Sequence, residues 1–138
     1  MKLSARNQLA GKVTRIQEGA VNGIVTLKFA GETINGTISM AAIKELGLEE
    51  GKEAIAVIKA TEVMIGLGEM KLSARNKIKG VISSIQEGAV NAIVTMEVAG
   101  GNHISATISM AAVKELELAP KKEAVAVIKA TSVMFGIK

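Results

Sequence analysis

The sequence predicts an all-β protein: two tandem OB-like five-stranded Greek-key barrels, each with one short helix. Three observations predict it. The heptapeptide Met1-Lys2-Leu3-Ser4-Ala5-Arg6-Asn7 returns letter for letter at residues 70–76. With one extra residue near Gly101, the halves agree at roughly 40 of about 68 aligned positions, so the 138-residue chain is a duplication. Each half also carries short β-branched runs between turn residues, interrupted by a single helix signal in the place an OB-like barrel puts it. The units divide as residues 1–68 and 69–138.

Within the first unit, residues 11–16 and 21–29 are strands joined through Gln17-Glu18-Gly19-Ala20, and residues 34–39 form a third. Ser39 is a natural N-cap for the helix Met40-Ala41-Ala42-Ile43-Lys44-Glu45-Leu46, and Gly47 its stop. In the second unit Glu117 replaces Gly47, which moves the expected stop on to Pro120. Residues 54–60 alternate Ala with larger apolar side chains, as a tightly closed barrel needs. Val63-Met64-Ile65 is expected to close its own unit. The linker Gly66-Leu67-Gly68-Glu69 is too short to let the barrels roam apart.

Composition limits the function. The chain is 49% hydrophobic but has only two aromatic residues, Phe29 and Phe135, and no Cys. Disulfides and thiolate chemistry are excluded. Binding of single-stranded nucleic acid is disfavoured, because such barrels stack bases on aromatic faces. One His, no Cys and no recurring acidic pair leave no nucleophile and base set, so no enzyme activity is expected. No signal peptide or run long enough to span a bilayer is seen, which points to a cytoplasmic protein without membrane contact. The net charge of +4 favours anionic partners without naming one. Units this small, without disulfides or a structural metal, are expected to associate into a homo-oligomer.

Two polar clusters recur at strand ends: Ser4-Ala5-Arg6-Asn7 with its copy Ser73-Ala74-Arg75-Asn76, and Lys59-Ala60-Thr61 with its copy Lys129-Ala130-Thr131. A tetrahedral dianion needs charge-assisted donors from several directions. The Arg fork and the Lys ammonium would neutralise it. Ser and Thr hydroxyls would donate, and the small Ala residues leave backbone amides accessible. Three or four such contacts at about 1.5–3 kcal/mol each reach micromolar affinity, about 8 kcal/mol. Taken alone, the same residues also fit solvated strand-end charges and ordinary turns. His103, alone near the inserted residue, is not expected to be a ligand. The seven Met residues fill apolar gaps, and Lys121-Lys122 reads as a solvated turn.

The succession SARN, EGAVN, ISM followed by AA, and AVIKAT before V-M strongly resembles the molbindin or Mop-domain family, twice over and across essentially the whole chain. That resemblance implies an OB-like barrel that binds molybdate or tungstate at domain interfaces, the SARN segment of one domain facing the Lys-Ala-Ser/Thr segment of another. The ligand positions that the resemblance implies are Ser4, Ala5, Arg6, Lys59, Ala60 and Thr61, with Ser73, Ala74, Arg75, Lys129, Ala130 and Thr131, and all twelve fit the pattern. It also implies a second kind of oxyanion site near a symmetry axis, around Gly19, Val21 and Asn22 and their copies Gly88, Val90 and Asn91. The local alternative is that Gly19 permits a tight turn and Asn22 bonds its own backbone. By analogy with six-domain rings of single-domain relatives, a trimer of two-domain chains is expected. No cofactor is expected beyond the oxyanion, and no cationic metal. Storage or homeostasis of the oxyanion is the expected function; the rivals are a single-stranded nucleic-acid module and a ligand-sensing module working with a protein partner.

Overall fold

A computed structural model of the chain describes residues 2–69 and 71–138. Met1 and Met70, which open the two heptapeptides, lie outside the described residues. The first copy supplies β1 (Asn7–Gln17), β2 (Asn22–Phe29), β3 (Glu32–Ser39), α1 (Met40–Leu46), β4 (Glu53–Ile58) and β5 (Met64–Gly66). The second supplies β6 (Asn76–Glu87), β7 (Asn91–Glu97), β8 (His103–Ser109), α2 (Met110–Glu115), β9 (Glu123–Ile128) and β10 (Met134–Gly136). The expected order of strands and helix is therefore present in both copies. Among the described residues, no helix is long and apolar enough to cross a membrane.

β1 organises its unit. Its first half pairs with β4, from Asn7 opposite Ile58 to Lys12 opposite Glu53, and its second half pairs with β2, with a register shift between Val13 and Arg15. Such a bulge bends the strand so that it serves two neighbours. β1 starts earlier than predicted, at Asn7, because Asn7, which ends the heptapeptide, and the polar Gln8 after it are drawn into the ladder with β4. Leu9, Val13, Val25, Leu27 and Ile34 point inward and are buried, as period-2 patterning requires. β4 is buried on both faces: Ala54, Ala56 and Ile58 join the core, while Ile55 and Val57 are covered on the other side.

The sheets run β10-β4-β1-β2-β3 and β5-β9-β6-β7-β8. This corrects the expectation that Val63-Met64-Ile65 closes its own unit. β5 pairs with β9 of the second copy, Met64 opposite Val127, and β10 pairs with β4 of the first, Met134 opposite Val57. The closing strands are exchanged. Side-chain fit accompanies the exchange: Gly36 on β3 lies so close beneath Phe135 of β10 that a Cβ there would run into the ring. The matching place in the other unit has Ala106 on β8, beside β5 with its smaller Ile65.

The helix caps follow the sequence in one copy and depart from it in the other. Ser39 Oγ accepts from the Ala42 amide at 3.0 Å, and Gly47 ends α1 in the left-handed region at φ 62°. In the second copy Ser109 caps in the same way, but α2 does not run on towards Pro120. It ends at Glu115, and Glu117 adopts φ 51° where the first copy has Gly47. The reason is the bond from the Leu118 amide to Val113 O, 3.0 Å, which repeats the Leu48 to Ile43 bond and seats a buried Leu behind the helix. Lys122 is correspondingly more than a solvated turn residue: its Nζ donates to Leu116 O at 3.0 Å and to Glu117 O at 3.1 Å, satisfying C-terminal carbonyls.

Candidate functional site

The ladder registers place the two predicted clusters side by side within each copy, whereas the resemblance implies a SARN segment of one domain facing the Lys-Ala-Ser/Thr segment of another. Asn7 lies opposite Ile58, so Ser4-Ala5-Arg6 leaves the sheet next to Lys59-Ala60-Thr61. Asn76 lies opposite Ile128 and does the same for Ser73-Ala74-Arg75 and Lys129-Ala130-Thr131. Lys59 and Lys129 each lead into a single 3-10 turn, Ala60–Glu62 and Ala130–Ser132. The turn bends the chain away as soon as the cation is presented.

In the second copy all six predicted residues line one open cleft of about 410 Å³. Arg75, Lys129, Ser73 and Thr131 are exposed, whereas Ala130 is buried. Among the described residues, no hydrogen bond or ion pair engages the side chains of Arg6, Lys59, Arg75 or Lys129. Two cations therefore converge with hydroxyls and small residues, and among the described residues no carboxylate lines the cleft to neutralise them. Such a set is suited to an anion that accepts several charge-assisted hydrogen bonds.

Two features of this place were not read from the sequence. The first is the burial of Asn7 and Asn76, the last residue of each SARN segment: grouped in sequence with the polar cluster, they are 1% and 2% exposed and so sit apart from it. Asn76 Nδ2 donates to Asn35 O at 2.8 Å and its Oδ1 accepts from the Asn35 amide at 2.7 Å. Asn7 makes the equivalent pair with Ser105, at 2.8 and 2.7 Å. Each side-chain amide thus acts as one more peptide group on the free edge of the other copy's sheet. The letter-for-letter repeat marked these residues, but nothing in it separated a structural Asn from the predicted ligand residues beside it. The second is that Thr37 and Met64, both from the first copy, share the second copy's cleft.

The second predicted group stands elsewhere. Gly19, Val21 and Asn22 follow the far end of β1, an 11-residue strand that separates them from Arg6 by up to roughly 35 Å. A Cβ on Gly19 would collide with Asn22 O, and one on Gly88 with Asn91 O, so both glycines are needed for the tight turn. Val21 and Val90 are 73% and 74% exposed, and their carbonyls accept from the amides of Met40 and Met110 at 2.8 Å. His103 opens β8 opposite Glu97 and is exposed.

Comparison with known proteins agrees with this architecture. The TOBE domain model matches residues 3–65 and 72–135. The molybdenum transport protein ModE of Herbaspirillum seropedicae is 38% identical over the whole chain, and the molybdenum-pterin-binding protein MopA of Rhodobacter capsulatus is 34% identical over 99% of it. The chain spans about half the length of each, 52% and 53%. A probable molybdenum-pterin-binding protein of Haemophilus influenzae is 59% identical over its full length and covers 50% of this chain. Among solved structures, the cytoplasmic molybdate-binding protein ModG, determined with molybdate bound, superposes with a TM-score of 0.97 at 40% identity, with 100% of both chains covered. The chain belongs to the TOBE-domain family, as a tandem pair of domains of the Mop type.

Proposed function

We propose that this protein binds molybdate or tungstate inside the cell and holds it in store, without catalysing a reaction. One observation carries the reading: in both copies the ladder register sets an unpaired Arg beside an unpaired Lys, flanked by Ser, Thr and small Ala residues. The ligand residues are Ser4, Ala5, Arg6, Lys59, Ala60 and Thr61 in one copy, and Ser73, Ala74, Arg75, Lys129, Ala130 and Thr131 in the other. Names borne by the relatives, which speak of molybdate and molybdenum, support the choice of ion. No cofactor beyond the oxyanion belongs to this reading. Gly19, Val21 and Asn22, with Gly88, Val90 and Asn91, form a second kind of oxyanion site once chains assemble. The assembly is a homo-oligomer, a trimer of two-unit chains, for which the exposed Val21, Val90, Leu3 and Leu72 supply apolar contact surface.

Nucleic acid is not the ligand in this reading, since Phe29 is buried and Phe135 packs over Gly36, leaving neither ring as a stacking face. Isothermal titration with molybdate, tungstate, sulfate and phosphate, beside a measurement of mass in solution, tests it. Tight uptake of the first two, several ions per assembly, is expected. An absence of heat with all four oxyanions would refute it.

A further inference from the structure

A tetrahedral ion presents oxygens in four directions, yet the donors gathered around Arg75 and Lys129 all come from the adjoining ends of β6 and β9. The other copy shares the cleft through Thr37 and Met64, and its β3 lies against the turn Ala130–Ser132. β3 is an edge strand. In an antiparallel ladder alternate residues turn their N–H and C=O towards the neighbouring strand or away from it. Asn35, opposite Thr26, turns both groups away, because the Asn76 side chain takes them. Thr37 is two residues on, opposite Ile24, and has the same phase. Its N–H therefore points off the free edge of the sheet, next to the second copy's SARN segment. Its hydroxyl makes no hydrogen bond among the described residues, and the residue lines the cleft.

We propose that Thr37 is a cross-copy ligand of the oxyanion held by the second copy, donating from its hydroxyl and its edge amide, and that Thr107 does the same for the first. This rests on the oxyanion reading above. It makes each site incomplete in a lone unit: the cations come from one copy and the facing donors from the other. Thr107 holds the matching position on β8, which lies against the turn Ala60–Glu62.

The test is titration of the full chain with sodium molybdate, comparing the unaltered protein with Thr37→Val, Thr37→Ser and Arg75→Ala, together with amide NMR of the unaltered protein. Val matches Thr in shape and suits a strand, so Thr37→Val removes the hydroxyl alone. It should weaken one of the two repeated sites about tenfold or more, the usual effect of losing a hydrogen bond to a charged group, and spare the other. Thr37→Ser should rescue it, and the Thr37 amide resonance should move on adding molybdate. Should Thr37→Val fail to fold, the amide resonance decides: a stationary Thr37 signal at saturation overturns the proposal. It is equally overturned if Thr37→Val titrates like the unaltered chain while Arg75→Ala loses the site. No uptake by the unaltered chain would overturn the oxyanion reading, and this proposal with it.

Discussion

Within SARN, adjacent residues stand in opposite settings, and the difference is one of burial. Arg75 is exposed and has no partner among the described residues, so Arg75→Ala should leave the denaturant midpoint nearly unchanged, within about 0.5 kcal/mol, while it removes molybdate uptake at its site. Asn76 is buried and bonded twice to Asn35. Asn76→Ala leaves an amide and a carbonyl of Asn35 without partners, and should cost about 2–4 kcal/mol in stability. Urea titration of both variants, paired with calorimetric titration, distinguishes the roles. The residues proposed as ligands could be picked out in the sequence because charge and small size are properties of single letters. The duty of Asn76 was not, since its partner is 41 residues away on an edge strand of the other copy. Thr37 escaped for the same reason, as an ordinary strand residue until the two copies are placed together.

At the level of elements, the sequence was legible wherever the determinants are local. The helix with its Ser cap, the short strands and the turn at Gly19 all follow from nearest neighbours. The stop of α2 did not, because a buried Leu118 and its bond to Val113 oblige Glu117 into the left-handed region. Glu117→Gly should therefore raise the melting temperature, gaining about 1 kcal/mol from a conformation that costs side-chain-bearing residues about that much. The exchange of β5 and β10 was hidden because the two closing strands are so alike, Val-Met-Ile-Gly and Val-Met-Phe-Gly. Only the Phe tells them apart, and it fits over Gly36. Gly36→Ala should destabilise the protein by about 1–3 kcal/mol through overpacking against Phe135. Adding Phe135→Ile recreates the Ala and Ile pair of the other unit and should recover most of that loss. A double-mutant cycle in denaturant measures the coupling; simple additivity would show that the ring and Gly36 do not act together.

For the molecule as a whole, exchange turns a tandem repeat into one folding body. The duplication was plain from the sequence, and it divides the chain near residue 68, but each unit borrows its last strand from the copy beyond that boundary. The units are also joined by the four side-chain bonds of Asn7 and Asn76 and by contact between the hairpin tips, where Gly100 lies against Ala30. If the first unit opened alone it would have to release β10, and with it Val133 and Phe135 from the core edge; if the second opened alone it would release β5. Neither can unfold without exposing apolar surface on its neighbour. Calorimetry should accordingly show a single transition for the whole chain, coupled to dissociation of its assembly, with no separate transition for either unit. Removing residues 133–138 should lower the stability of both units, although the strand lost is only three residues long. Two separate transitions in the intact chain, or a second unit untouched by the truncation, would mean that the exchanged strands contribute contact without coupling.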